Sequence, residues 1–210
     1  MYREIPLLID EPRGGTAAGT IALAHGAGAG KDSPFMEQTA RALAAQGLRV
    51  ARFDFPYMQA MRTGGKRGRP DSPSVLEEAW LSVVEQLGSP AGLVIGGKSL
   101  GGRIASMIAD RAGVKGLVCL GYPFHPAGQP LSLRVTHMKE LKTPTLILQG
   151  ERDTLGSREE IAGYTLSRAI RIVYLGDGDH SFKPRKISGY TFEQNFMVAV
   201  AEIVAFCAPP

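Results

Sequence analysis

Short apolar runs alternate with longer stretches of helical periodicity along the whole chain. The runs occupy residues 20–23, 49–53, 93–95, 116–120, 145–149 and 171–175, and a further one at 5–9 reads as an edge strand. Their hydrophobicity is continuous rather than alternating, the pattern of parallel strands covered on both faces. Between them Leu76, Trp80, Val83, Val84 and Leu87 recur at helical spacing, as do Phe192, Phe196, Val200 and Ile203. These stripes read as core packing, with Trp80 as an anchor rather than a platform for a ligand. Ser33 before Pro34 reads as an N-cap followed by proline at the first helical position. Ser74 with Glu77, Ser157 with Glu160 and Thr191 with Gln194 each match a capping box. Strand and helix alternating in this way predict an α/β fold: a doubly wound, mostly parallel sheet flanked by helices. Ligands of such sheets bind beyond the carboxyl ends of the strands, so the residues just after each strand matter most.

Composition narrows the picture. A chain of 210 residues fits one α/β domain over 1–210 and buries enough apolar surface to need no metal or disulfide staple. The net charge of +4 is mild and its basic residues are mostly scattered, which permits nucleic-acid binding without arguing for it; with no aromatics interleaved in the basic loop at 59–71, no nucleic-acid partner is expected. Cys119 lies in an apolar run and Cys207 near the C-terminus, so both read as free thiols without metal-ligand spacing. No apolar run approaches the ~18 residues of a membrane helix, and the N-terminus lacks a signal-peptide core. The expectation is a cytoplasmic protein, with no membrane association. The 24 residues between Leu120 and Thr145 suffice for a loop and one short helix, not for a separate cap domain. One loop stands out: residues 59–71 carry Arg62, Lys66, Arg67 and Arg69 among glycines.

The chemistry concentrates after the strands. Gly97, Lys98, Ser99, Leu100 and Gly101 form Gly-x-Ser-x-Gly between an apolar run and a helical stretch over 102–112, with Gly113 as its stop. In that setting the glycines permit a turn too tight for side chains, and the serine stands at a helix N-terminus. There the Leu100 N–H is free and the helix dipole favours developing negative charge. The bland alternative is a glycine-rich turn with an incidental serine. His25, Gly26, Ala27, Gly28, Ala29 and Gly30 follow the first well-formed run, and the Ala27 N–H there is a second oxyanion donor. A phosphate cradle is the competing reading of these glycines, but the P-loop Lys-Ser/Thr and a dinucleotide site's acidic partner are both missing.

A serine nucleophile needs a base, and the base an acid. His180 follows the last apolar run in a loop with Asp177, Gly178 and Asp179, and Asp153 follows the run at 145–149. The order Ser99, Asp153, His180 suits this topology. Glu151 is the closest rival acid; Asp177 and Asp179 read as turn formers. His25 reads as a buttress of the oxyanion loop, His125 as a pocket residue and His137 as a surface residue with nothing to recruit it. Lys98, His125, Tyr57 and Arg62 are candidate substrate contacts.

With these residues assembled, the chain resembles the α/β-hydrolase superfamily, and within it small cap-less proteins of the dienelactone-hydrolase-like and KAN-domain groups. The resemblance runs through His25–Gly30, the Phe53, Asp54, Phe55, Pro56, Tyr57 segment, the Ser99 elbow, the segment from Gly121 to Pro126, the Asp153 loop and the His180 loop. It implies a Ser99, Asp153, His180 triad acting on an ester or thioester through an acyl-enzyme, with no cofactor. Dienelactone hydrolases proper use a cysteine nucleophile, so their lactone chemistry does not carry over. The competing reading is a non-catalytic hydrolase-like module that binds a partner within an assembly. A monomer or homodimer is expected in either case. The basic loop and Lys98 raise the expectation of an anionic substrate. Against it stands a plain solvated loop, with Lys98 in an ion pair near Asp54.

Overall fold

In the computed structural model, which describes residues 4–65 and 68–208, the six inner apolar runs form six parallel strands of one sheet. They are β2 (Gly19–Ala24), β3 (Leu48–Phe53), β4 (Leu93–Lys98), β5 (Gly116–Leu120), β6 (Thr145–Gly150) and β7 (Ile170–Leu175). The edge strand β1 (Leu7–Asp10) pairs antiparallel with β3, giving the order β1-β3-β2-β4-β5-β6-β7. It begins later than the apolar run at 5–9, because Pro6 has no N–H to give to a ladder; Ile5 instead exchanges hydrogen bonds with the Gln86 side chain. β4 extends past residue 95 through Gly96 and Gly97, two glycines that carry no hydrophobic signal.

The helices are α1 (Pro34–Ala45), α2 (Pro56–Arg62), α3 (Pro73–Leu87), α4 (Leu100–Ala112), α5 (Arg158–Ile161) and α6 (Phe192–Cys207). Capping boxes close at Ser157 with Glu160 and at Thr191 with Gln194. The box expected at Ser74 does not form. Pro73 takes the first helical position, where a missing N–H costs nothing, so Ser72 is the N-cap and Ser74 lies inside α3. α2 is a second difference: Phe55 is extended and Pro56 starts a helix that absorbs the first part of the basic loop. Gly113 ends α4 in the left-handed region, at φ 63°.

Alternate residues of each strand feed two apolar clusters, one on each face of the sheet. Ile95, Leu117, Cys119 and Ile147 pack with Phe53, Trp80 and Ile104. Val94, Val118, Leu120, Leu146 and Leu148 pack with Met36, Leu43, Phe182 and Phe196. Both thiols are free and buried, as the sequence suggests. The connection from β5 to β6 holds a single 3-10 turn, Thr136–Lys139, and no inserted domain. Among the described residues, no helix is long and apolar enough to cross a membrane.

Trp80 links the core to the turn after β4. It is fully buried, meets Phe53 edge-to-face with ring centroids 4.7 Å apart, and donates its indole N–H to the Gly101 carbonyl at 3.3 Å. Trp80→Ala is expected to lower unfolding free energy by about 3–5 kcal/mol and Trp80→Phe by less, as measured by circular dichroism in urea.

Candidate active site

The turn from β4 into α4 is dictated by one carbonyl. A methyl at Gly97 would lie 2.1 Å from the Ala24 oxygen, and one at Gly101 2.3 Å from the same atom. Only glycine fits at either position. Between them Ser99 is driven to φ 51°, ψ −111°, a strained conformation for a residue with a side chain. Its N–H donates to the Leu120 carbonyl at 3.1 Å, and its carbonyl accepts from Arg103 at 3.0 Å. Leu100 opens α4, at a helix end whose first N–H groups have no intrahelical acceptor.

The loop after β2 is held through its carbonyls. His25 is fully buried, and its Nε2 accepts the Phe55 N–H at 3.1 Å. Nδ1 therefore carries the hydrogen and donates to the Gly26 carbonyl at 2.6 Å. Burial lowers the pKa of this imidazole, and although Asp54 lies 3.7 Å from Nε2, that nitrogen is already an acceptor and the ring is neutral. The Tyr57 hydroxyl donates to the Ala27 carbonyl at 3.1 Å.

The loops after β6 and β7 hold an acid and a histidine. Asp153 is fully buried; its Oδ2 accepts from His180 Nδ1 at 2.7 Å and from Gln149 Nε2 at 2.8 Å, and its Oδ1 accepts the Leu155 N–H at 2.9 Å. Every contact to this carboxyl is a donor, the environment of a charged carboxylate. Gln149 is fixed in turn by the Tyr122 N–H at 2.8 Å and by the Tyr122 and Gly156 carbonyls. Because Nδ1 of His180 donates to Asp153, Nε2 is left unprotonated and able to accept. His180 and Ser99 wall one cleft of about 580 Å³, together with Ala27, Phe35, Met36 and Leu155, within the size range of small-molecule sites. Among the described residues, no hydrogen bond joins the Ser99 hydroxyl to His180, a contact that tightens in many enzymes only once substrate is bound. Among those residues no group of three His, Cys, Asp or Glu side chains is spaced to hold a metal ion.

A match to the alpha/beta hydrolase domain family spans residues 17–208. The chain belongs to that family. Solved structures share the fold at low identity. A serine hydrolase from Xanthomonas campestris, described as having no lid, is 19% identical at TM-score 0.71, covering 97% of this chain and 89% of its own. An alpha-beta serine hydrolase homologue from Coxiella burnetii is 21% identical at TM-score 0.70, covering 98% and 97%. A dienelactone hydrolase from Anabaena variabilis is 22% identical at TM-score 0.65, covering 93% and 88%.

Within this alpha/beta hydrolase, several residues stand elsewhere than the sequence suggests. Tyr57, His125 and Arg62 do not line the cleft. Tyr57 lies behind the loop it holds. His125 is buried, with Nδ1 2.9 Å from the Pro126 carbonyl and Nε2 3.4 Å from Glu160. Arg62, now in α2, is ion-paired with Asp32 and with Asp54 at 2.7 Å, and the Asp32 hydrogen bond drives its pKa upward. Its charge is therefore matched twice. Lys66 and Arg67 lie outside the described residues. Lys98 does line the cleft, but its ammonium rests on the His180 carbonyl rather than on Asp54. His137 is not idle on the surface: its Nε2 sits 2.8 Å from the Ser106 hydroxyl, and burial lowers its pKa. Glu151 is engaged by the Asp177 N–H and Arg158, while Asp177 pairs with Arg185 and Asp179 accepts from the Ser181 and Lys183 N–H groups. Gln149, absent from the candidates above, is a lone polar residue closing an apolar strand, which is its signal in the sequence.

Gly101→Ala is expected to cost about 3 kcal/mol or more, because the added methyl meets backbone that cannot swing away. Gly92→Ala, where a methyl meets nothing within 4 Å, is expected to stay within about 0.5 kcal/mol of the parent. Thermal unfolding of the two variants checks the pair.

Proposed function

We propose that this chain is a serine hydrolase that cleaves a small carboxylic ester or thioester through an acyl-enzyme. The observation that carries the reading is His180, its Nδ1 committed to the buried Asp153, on the same cleft as the strained Ser99. The Ser99 oxygen attacks the acyl carbonyl while His180 Nε2 takes its proton. The oxyanion is received by the Leu100 N–H, reinforced by the α4 dipole, and by the Ala27 N–H. His180 then returns the proton to the leaving oxygen or sulfur, and the alcohol or thiol departs. Water attacks the acyl-enzyme, loses its proton to His180, and the acid leaves as Ser99 regains a hydrogen. The chemistry calls for no metal or organic cofactor. Asp153 holds the imidazole orientation and stabilises its charged form.

The cleft walls favour an uncharged acyl group. Phe35, Met36, Leu155, Ala27 and Ala29 are apolar, Arg62 is neutralised by two carboxylates, and Lys98 is turned to a main-chain oxygen. Two free, buried thiols, that of Cys207 pushed up to about 12 by burial, are compatible with a reducing cytoplasm.

A fluorophosphonate probe should label the parent at Ser99 and spare folded Ser99→Ala, whose kcat on a p-nitrophenyl ester should fall by about 10⁴- to 10⁶-fold. Asp153→Asn should cost about 10⁴-fold, whereas Glu151→Gln should matter far less. Labelling at another serine, or none in folded protein, would overturn the reading.

The apolar cleft also makes a charge prediction. Between two esters matched in size, one neutral and one bearing a carboxylate, the neutral ester should have the higher kcat/KM. Its rate should be unchanged between about 50 mM and about 500 mM salt. A preference for the carboxylate ester that fades with salt would restore an anionic substrate.

A further inference from the structure

Lys98 occupies the position before the nucleophile, yet its side chain turns away from Ser99 and toward the histidine loop. Its Nζ donates to the main-chain carbonyl of His180 at 2.5 Å. The path is shaped for it. Gly121, at φ +68°, lies where a methyl would come within 2.9 Å of Lys98 Nζ and 2.8 Å of that same carbonyl oxygen. A Phe35 ring covers the ammonium, its centroid 5.7 Å away. The ends of the histidine loop have their own anchors: Asn195 Nδ2 donates to the Gly176 and Phe182 carbonyls, and Asp179 caps the turn that follows. Among the described residues, Lys98 is the one donor to the His180 carbonyl. The histidine is thus gripped twice, at Nδ1 by Asp153 and at its main chain by Lys98.

We propose that Lys98 is a positioning residue, whose hold on the His180 carbonyl sets the reach from His180 Nε2 to the Ser99 hydroxyl. The proposal rests on the hydrolase reading, in which that reach governs proton transfer. Asp153 fixes the ring and Lys98 fixes the main chain that carries it, so together they narrow the positions Nε2 can take. A displacement of about 1 Å at such a contact costs on the order of 10²-fold in rate.

Burial lowers the Lys98 pKa to about 8, while the carboxylates of Asp153 and Asp179 act in the opposite sense. The groups facing it are Asp153 from the loop after β6 and Asp179 and His180 from the loop after β7. Gly26, Phe35 and Gly121 add no titratable group. Below about pH 8 the ammonium is charged and the tether is at full strength. As pH rises through that value the charge is lost and the grip weakens to that of a neutral amine. Activity should therefore fall on the alkaline side.

The test compares the parent with Lys98→Met and Lys98→Arg, each confirmed folded by circular dichroism. Three readouts are used: kcat and KM on a neutral p-nitrophenyl ester from about pH 6 to about pH 10, labelling by a fluorophosphonate, and hydrogen exchange of the peptide over residues 176–183. In Lys98→Met, kcat should fall about 10- to 100-fold with KM within about threefold. Its alkaline limb should vanish, and exchange in the loop should rise. Arginine, charged throughout this range, should recover part of kcat without the alkaline limb and keep the loop protected. A Lys98→Met kcat within about twofold of the parent, an unchanged alkaline limb or unchanged loop exchange would each overturn the proposal while the hydrolase reading stands. If the parent neither turns over ester nor labels at Ser99, the hydrolase reading fails. Loop exchange then decides alone whether Lys98 holds His180. Should Lys98→Met not fold, the parent's pH profile against that of Lys98→Arg makes the same decision.

Discussion

The Ala24 carbonyl at the end of β2 is the constraint on which the rest of the site depends. It lies so near the turn after β4 that Gly97 and Gly101 admit no methyl group. With both flanks pinned, Ser99 has nowhere to go but a positive φ, a conformation costing about 1–3 kcal/mol. The two apolar clusters hold the strands together tightly enough to sustain that strain, and Trp80 reaches from one of them to the Gly101 carbonyl. The conformation of Ser99 and the close start of α4 both answer to this backbone contact between neighbouring parallel strands.

The second half of the site is assembled by polar groups that the core cannot leave unpaired. A buried carboxylate is tolerable only when its oxygens are fully occupied. Asp153 meets that demand with donors from His180, Gln149 and Leu155. Gln149 then ties the same network to Tyr122, so the loops after β5, β6 and β7 are joined through side chains as well as through the sheet. Low dielectric strengthens each bond and raises the cost of losing any one of them.

How much of this could be read from the chain depends on the range of the interaction. The inner strands, the turn around Ser99 and the order of acid and histidine follow local patterns, and the first two appear where those patterns put them. α2 was hidden because glycines and charges after Arg62 masked the helix start at Pro56. The start of α3 hinged on whether proline or a capping box sets the first turn, and proline prevailed. The partners of Arg62 come from two other loops, and His137 finds Ser106 on α4, so neither pairing leaves a mark in sequence spacing. The partner of Lys98 leaves no mark either: its acceptor is a main-chain oxygen, which every residue possesses and no sequence pattern announces. Gln149 was legible in principle, since a buried amide at the end of an apolar strand needs partners.

The crossing from β5 to β6 decides what stands over the cleft. Where a hydrolase carries a hinged cover over its cleft, opening and closing set an upper bound on turnover, and much of its selectivity lies in whether the cover closes. Here that stretch of chain is loop with one 3-10 turn, Thr136–Lys139, and no further helix. The cleft beside Ser99 is therefore bounded by the strand-end loops and α1, with no inserted domain from this connection above it. Whatever this cleft selects, it selects by the fixed shape of its walls, Phe35, Met36 and Leu155 among them, and not by the closing of a separate domain.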